Sequence, residues 1–258
     1  MTANPGPARS RHELVAWLDQ YLNVPGTPDK SLNGLQVEGK DEVHRIAVAV
    51  DSSLATLEAA ARAGADFLIV HHGFFWGEPL AIRGPHKRRV QTLLDAGISL
   101  YAAHAPLDIH PEVGNSLELA RGLGMGGIEP FGSKKGLAWG VRGALPVPVS
   151  LQDLADSVQR VTGEVCLVHS GGGASARSIG IVSGASAGFI ADAAAAGLDT
   201  FIGGEPSHAH FAEPFELGIN VIWAGHYETE TLGVRALAVK IEDTFGLPWQ
   251  FLHLPTGL

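Results

Sequence analysis

The chain has 258 residues, 45% hydrophobic and 17% charged, enough for one large domain or two small ones and too apolar for disorder. Its formal charge of -9 and sequence pI of about 5.7 argue against non-specific binding to nucleic acid or an anionic membrane. No apolar run approaches the ~18 residues of a membrane span, Met1 to Arg11 lacks the apolar stretch of a secretory signal, and the one cysteine, Cys166, cannot form an internal disulfide. The cytoplasm is therefore the expected compartment.

Ser10 and Glu13 have the spacing of a capping box, and Leu14, Leu18, Tyr21 and Leu22 follow at helical period, which predicts a first helix over residues 11–22. A Gly/Pro-rich loop precedes "NGLQVEG" and a strand over residues 44–51. The alanine-rich "LATLEAAARAG" predicts a helix ending at Gly64. "DFLIV" is apolar throughout, as in a parallel strand covered on both faces. A helix through "HKRRVQTLLDAG" leads to the strand "ISLYAAH". Pro106 makes "APLDIHP" extended or turned, and a helix near Asn115–Gly122 follows. Residues 122–148 are glycine-rich with short strand-like pieces, and "HSGGGASARS" reads as a flexible turn.

The second half repeats the plan of the first. Laying Ile46 on Ile179, a shift of 133 residues, aligns "IAVAVDSSLATLEAAARAGADFLIVHH" with "IGIVSGASAGFIADAAAAGLDTFIGGE" without a gap. Gly64 then falls on Gly197, Asp66 on Asp199, and His71-His72 on Gly204-Glu205. Further on, "GISLYAAH" resembles "GINVIWAGH" with one residue inserted. The expected fold class is α/β: two related halves with mixed, largely parallel sheets. The expected boundary puts residues 1–125 and the N-terminal helix in one half and 126–258 in the other, closely associated, with a discontinuous boundary admitted.

In open α/β sheets, ligands gather beyond the carboxyl ends of the parallel strands. His71, His72, His104, Asp108, Glu205, His208, His226 and Glu230 lie at such ends. Adjacent strand residues point to opposite faces, so His71 and His72 cannot share one ion while the strand stays regular. Either the chain turns at Gly73, or each serves one ion of a pair ~3.5–4 Å apart. Taken alone, the two also suit one core-bonded and one exposed histidine.

"GHYETETLGVRALAVKI" predicts a helix from near Glu228, with Leu232, Ala236 and Val239 on its inner face. If His226 already lies at the helix start, Glu230 at i+4 shares its face and can reach the same metal. A local hydrogen bond suits that pair as well. Glu228 points elsewhere, as a solvated residue or a helix-start charge. "HAPLDIH" offers His104, Asp108 and His110, among which periodicity does not choose; His110, before Pro111, suits a surface residue. Phe74, Phe75 and Trp76 suit core packing or the stacking of a planar substrate. In "RGPHKRR" a solvated helix face accounts for most of the cations, and Arg83 is the candidate to test first for phosphate.

Five blocks, "NGLQVEG", "GADFLIVHHGFFWG", "HAPLDIHPEVGNS", "GLDTFIGGE" and "AGHYETETLGVRAL", resemble in order the dinuclear metal centre, hexameric protein family. That family is named for an NGG-interacting factor, and its members are often labelled type 2 GTP cyclohydrolase I. The likeness runs from about residue 10 to residue 255 and is to the short form. It implies that His71, His72, Asp108, His226 and Glu230 are the metal ligands, with Glu230 the bridge. It places His104 beside the metals, either supporting the ligands or as the catalytic, proton-transferring group, and makes Glu205 and His208 pocket residues; Phe75, Trp76 and Arg83 are substrate-contact candidates from their own chemistry. It also implies two divalent ions per subunit at the interface between the halves, and a homo-hexamer arranged as a toroid of dimers.

Mixed imidazole and carboxylate ligands suit zinc, iron and manganese alike. Water at two such ions loses its proton near neutral pH. The expected function is thus metal-dependent hydrolysis of a nucleotide or phosphoester-like small molecule by an activated water. The other reading is a hexamer that binds metal without turnover, for storage, delivery or partner binding. The sequence has no P-loop, "GLGMGG" follows a helix rather than a strand, and nothing selects guanine.

Overall fold

In the computed structural model, which describes residues 8–257, the chain forms two compact units. One runs to Leu107 and takes back Val234–Leu254; the other holds Asp108–Gly233 and the stretch from Pro255. Residues 1–7, part of the stretch read as lacking a secretory signal, lie outside the described residues.

In the first unit, β1 (Arg9–Ser10) leads into α1 (Arg11–Tyr21), which buries Leu14 and Leu18. The predicted capping box is not made: Ser10 stands at the N-cap without a side-chain cap hydrogen bond. Ser10 is instead held in a two-stranded ribbon. After β2 (Gly34–Val37), the strand β3 (Glu42–Val43) pairs antiparallel with β1. The core of the unit continues as β4 (Ile46–Asp51), α2 (Leu54–Arg62), β5 (Phe67–His72), α3 (Gly84–Ala96) and β6 (Ser99–Ala102). The Ser53 hydroxyl caps α2 by accepting from the Thr56 N–H at 3.2 Å, a bond worth about 1 kcal/mol. β4, β5 and β6 are parallel neighbours, and β2 closes one edge antiparallel. Ala47, Ala49, Leu68, Val70 and Leu100 pack one sheet face against Leu57 and Ala60 of α2 and Leu93 of α3.

Of the two conformations expected around Pro106, extended or turned, the structure has the turn. α4 (Ala105–Asp108) is a single helical turn, because proline in a first turn lacks only an N–H that has no helical partner there.

The second unit begins with α5 (Asn115–Gly122), at the predicted position. The glycine-rich stretch after it is one long hairpin, β7 (Gly126–Lys134) and β8 (Leu137–Ser150), rather than short pieces. Two of its glycines serve close packing: a Cβ on Gly140 would collide with the Ile181 carbonyl and one on Gly143 with the Gly126 carbonyl. α6 (Leu151–Thr162), which the sequence reading did not anticipate, is capped by the Ser150 hydroxyl and buries Leu154, Ala155 and Val158. Then come β9 (Leu167–Ser170), β10 (Ser175–Val182), α7 (Ile190–Ala195), β11 (Thr200–Gly203), α8 (Glu213–Leu217), β12 (Asn220–Trp223) and α9 (His226–Phe245). "HSGGGASARS" is therefore strand at both ends with a turn between. The sheet runs β7-β8-β10-β11-β12-β9, with β10, β11 and β12 parallel and the remaining pairs antiparallel.

β13 (Trp249–Phe251) pairs parallel with β4, which returns most of α9 and the segment up to Leu254 to the first unit. Conversely, residues 108–125, expected in the first half, belong to the second unit, because Leu119 and Ala120 of α5 pack with Ile179 and Ile181 of β10. On α9 the buried side chains include Val234, Leu237, Ala238 and Ile241, while Val239, expected inside, is 46% exposed. The helix is apolar on several faces, so periodicity alone chose the wrong stripe; Leu232 and Ala236 are half-buried.

The repeat is physical. Ile46 pairs with Phe67 as Ile179 pairs with Thr200, and Phe67 pairs with Ser99 as Thr200 pairs with Asn220. The Asp66 carboxylate accepts from the backbone N–H of His44 at 3.0 Å, and Asp199 from Arg177 and Ser178 at 3.0 and 2.8 Å. Gly64 and Gly197, just past the end of the first helix in each repeated segment, have φ of 66° and 71°, a left-handed turn that favours glycine. Among the described residues no helix is long and apolar enough to cross a membrane.

Candidate metal-binding site

β5 carries both adjacent histidines to its last residue, after which the chain turns at Gly73. The His71 ring is fully buried and His72 is partly exposed, yet their ring centroids lie 4.7 Å apart. His104, just past β6, brings a third ring with centroids 5.0 Å from His71 and 5.8 Å from His72. Each of the three offers a ligand nitrogen, and these nitrogens lie within 4.8 Å of one another.

Each ring is aimed by a protein acceptor on Nδ1. His71 donates to the Ala103 carbonyl at 2.8 Å, His72 to Asp51 at 2.9 Å and His104 to Asp29 at 2.9 Å. A carbonyl or carboxylate cannot donate, so the neutral ring carries its proton on Nδ1 and its lone pair on Nε2. Asp29 also accepts from Asn33 Nδ2 and from the Ala105 N–H. Burial works to raise the Asp29 pKa, but the hydrogen bonds and charge of His104, with Asn33 and Ala105, hold it well below the usual carboxylate range.

Beside these rings, Trp76 is 41% exposed and stands edge-on to His104 at 4.9 Å, its indole N–H held by the Gly73 carbonyl. Phe74 is core, as one of the two readings expected, and Phe75 packs against it. Arg83, Lys87 and Arg88 are exposed, and Arg89 lies over the Phe74 ring at 5.2 Å.

In the second unit the helix α9 begins at His226, so Glu230 does lie one turn on. His226 Nδ1 meets Glu205 at 3.0 Å and its Nε2 meets Glu230 at 3.2 Å. Burial opposes a charged His226, but hydrogen bonds to Glu230 and Glu205 push its pKa up to about 9. The same carboxylates that favour a proton there would favour a metal cation. Gly184, with φ of 63°, leaves room for the pair: a Cβ would collide with Glu230 Oε1. Asp108, buried, accepts from Asn115 Nδ2 at 2.9 Å and from the Ser183 hydroxyl at 3.4 Å.

Two expectations change here. His110 is buried rather than on the surface, its Nδ1 accepting from the N–H groups of Glu112 and Val113, so it holds the turn after Pro111. Glu228 is in the first turn of α9 but buried, not solvated. His208 is exposed on a short 3-10 turn, His208–His210.

The donor chemistry fits a metal: His71, His72 and His104 present Nε2 with Nδ1 tied to an acceptor, and His226, its Nδ1 on Glu205, has the Glu230 carboxylate at Nε2. This is how metal-binding imidazoles are usually held. Sequence reasoning missed the two aspartates that aim the first-unit rings. Asp29 lies in a loop without a pattern, whereas Asp51 sits in register with His72 and the parallel pairing of the two strands was the available signal.

The fold and these clusters define an α/β protein of two sheet-bearing units with imidazoles and carboxylates gathered past the carboxyl ends of parallel strands. Residues 10–255 match the Duf34/NIF3 (NGG1p interacting factor 3) family, and the chain belongs to it. A Deinococcus radiodurans protein named GTP cyclohydrolase 1 type 2 homolog is 58% identical over 96% of this chain and 94% of its own length. A Pyrococcus abyssi protein of the same name is 43% identical over 96% and 99%. Among solved structures, TTHA1606 from Thermus thermophilus superimposes with a TM-score of 0.91 at 49% identity, covering 97% of this chain and all of that one.

Proposed function

We propose that the protein binds two divalent cations through His71, His72, Asp108, His226 and Glu230 and is a metal-dependent hydrolase of a nucleotide or phosphoester-like small molecule. The observation that carries this reading is the way its histidines are held: His71 and His72 are tied at Nδ1 to an acceptor so that the lone pair lies on Nε2, and His226 stands between the carboxylates of Glu205 and Glu230. Two such ions supply a lowered pKa for water and a polarised bond under attack. The chain's own residues do the rest. Asp51 and Glu205 hold imidazoles in place, and Asn115 and Ser183 fix the Asp108 carboxylate. His104, held by Asp29, keeps Nε2 in position to take or give a proton. The ligand types admit zinc, iron or manganese.

The relatives' name, GTP cyclohydrolase 1 type 2 homolog, places guanosine triphosphate among the substrates to try. The reading includes a cytoplasmic homo-hexamer, in keeping with the single cysteine and checked by light scattering and cell fractionation. The experiment that tests function is a hydrolysis panel of nucleotides, phosphoesters and cyclic amides with metal-loaded protein and the Glu230→Ala variant. Turnover that requires both the metal and Glu230 supports the hydrolase. Full metal occupancy with no turnover across the panel replaces it with a metal-binding protein that does not turn over.

A further inference from the structure

Beside His226, the second unit has a cavity of about 440 Å³ that, apart from Glu205, is lined by residues with no role above. Part of its lining is apolar: Val165, Leu167, Pro206 and Trp223. Val165 and Leu167 are 72% and 50% exposed, so this part is apolar surface left to water. The lining also includes the acidic residues Glu164, Glu205 and Glu228, and no lysine or arginine is among it. Gly204, Gly225 and Gly257 complete the lining. Glu205 belongs to both places, since it lines the cavity and also holds His226 Nδ1 at 3.0 Å.

A cavity this size takes a ring-sized group, within the range of ordinary small-molecule sites. Its apolar part rewards a flat or aliphatic body. Its carboxylates accept hydrogen bonds and repel anions, so a phosphate is excluded from this end. We propose that the cavity is the substrate's recognition subsite, taking an apolar ring that bears a cationic or N–H-rich group such as an amidine or a protonated amine. Any phosphate on the substrate then lies away from this subsite. This rests on the reading of His226 and Glu230 as part of the reacting centre.

The test uses two probes of one shape and opposite charge, benzamidine and benzoate, titrated calorimetrically into the purified full chain and again after EDTA treatment. Benzoate binding that vanishes with EDTA is metal-borne and is subtracted. Benzamidine is expected to bind with and without EDTA, at least tenfold more tightly than the remaining benzoate. Val165→Arg, at an exposed position where the fold tolerates a long side chain, should weaken benzamidine at least tenfold, and Glu164→Gln several-fold. Equal or tighter EDTA-resistant benzoate binding, no benzamidine binding, or an unchanged affinity in Val165→Arg overturns the proposal. If benzamidine binds as expected but no metal is found, the hydrolase reading fails and with it the cavity's role as a substrate subsite, leaving a site for a cationic ring alone. If metal binds and benzamidine does not, only the cavity assignment falls.

Discussion

The two units are built on one plan, and the comparison separates what the fold needs from what the chemistry needs. Strand registers, the Asp66 and Asp199 carboxylates and the Gly64 and Gly197 turns are common to both. At the strand ends they part. Asp51, His71 and His72 of the first unit stand where the second has Gly184, Gly204 and Glu205. In the first unit, Asp51 holds a histidine; in the second, Gly184 clears space for Glu230, and Glu205 holds a histidine that comes from α9. The pair of histidines is therefore no requirement of the fold, and each unit positions imidazole with carboxylate by a different route.

Substitutions at the differing positions should strike metal binding, and those at the shared ones stability. The largest effect is expected for His71→Ala and Glu230→Ala. Each should lower metal affinity beyond the ~100-fold upper end seen when only an outer hydrogen-bond partner is removed, read by competition with a chromogenic chelator. Gly184→Ala comes next, because its Cβ meets Glu230; at least tenfold weaker metal binding is expected, with backbone strain of about 1–2 kcal/mol. Gly197→Ala is its control, with similar φ but nothing within 4 Å of the added Cβ. It should lose stability alone, as measured by urea unfolding. Asp51→Asn and Glu205→Gln keep shape but weaken the hold on His72 and His226, and should each cost ~10–100-fold in metal affinity. The smallest effect on metal is expected for Asp66→Ala and Asp199→Ala. Each strands backbone N–H groups, costing about 1–3 kcal/mol of stability, while metal content stays unchanged.

Much of this was legible in the sequence because period and spacing encode it. The β–α–β order of both units, the helix Asn115–Gly122 and the i+4 spacing of His226 and Glu230 are local patterns, and the structure has them. The parts that were not legible depend on tertiary pairing. Asp29 meets His104 across 75 residues, and β13 returns to β4 from the far end of the chain. The stripe of α9 that faces inward was misread because apolar residues lie on several sides of the helix. The long hairpin was hidden by glycines that permit close strand packing and imitate a loop.

The most direct measurement is elemental analysis of the purified protein after expression in metal-replete medium, alongside His71→Ala and Glu230→Ala. The account predicts close to two divalent ions per chain in the unaltered protein and clear loss in both variants, with folding intact by circular dichroism. A content near zero, or an unchanged content in both variants, would contradict it.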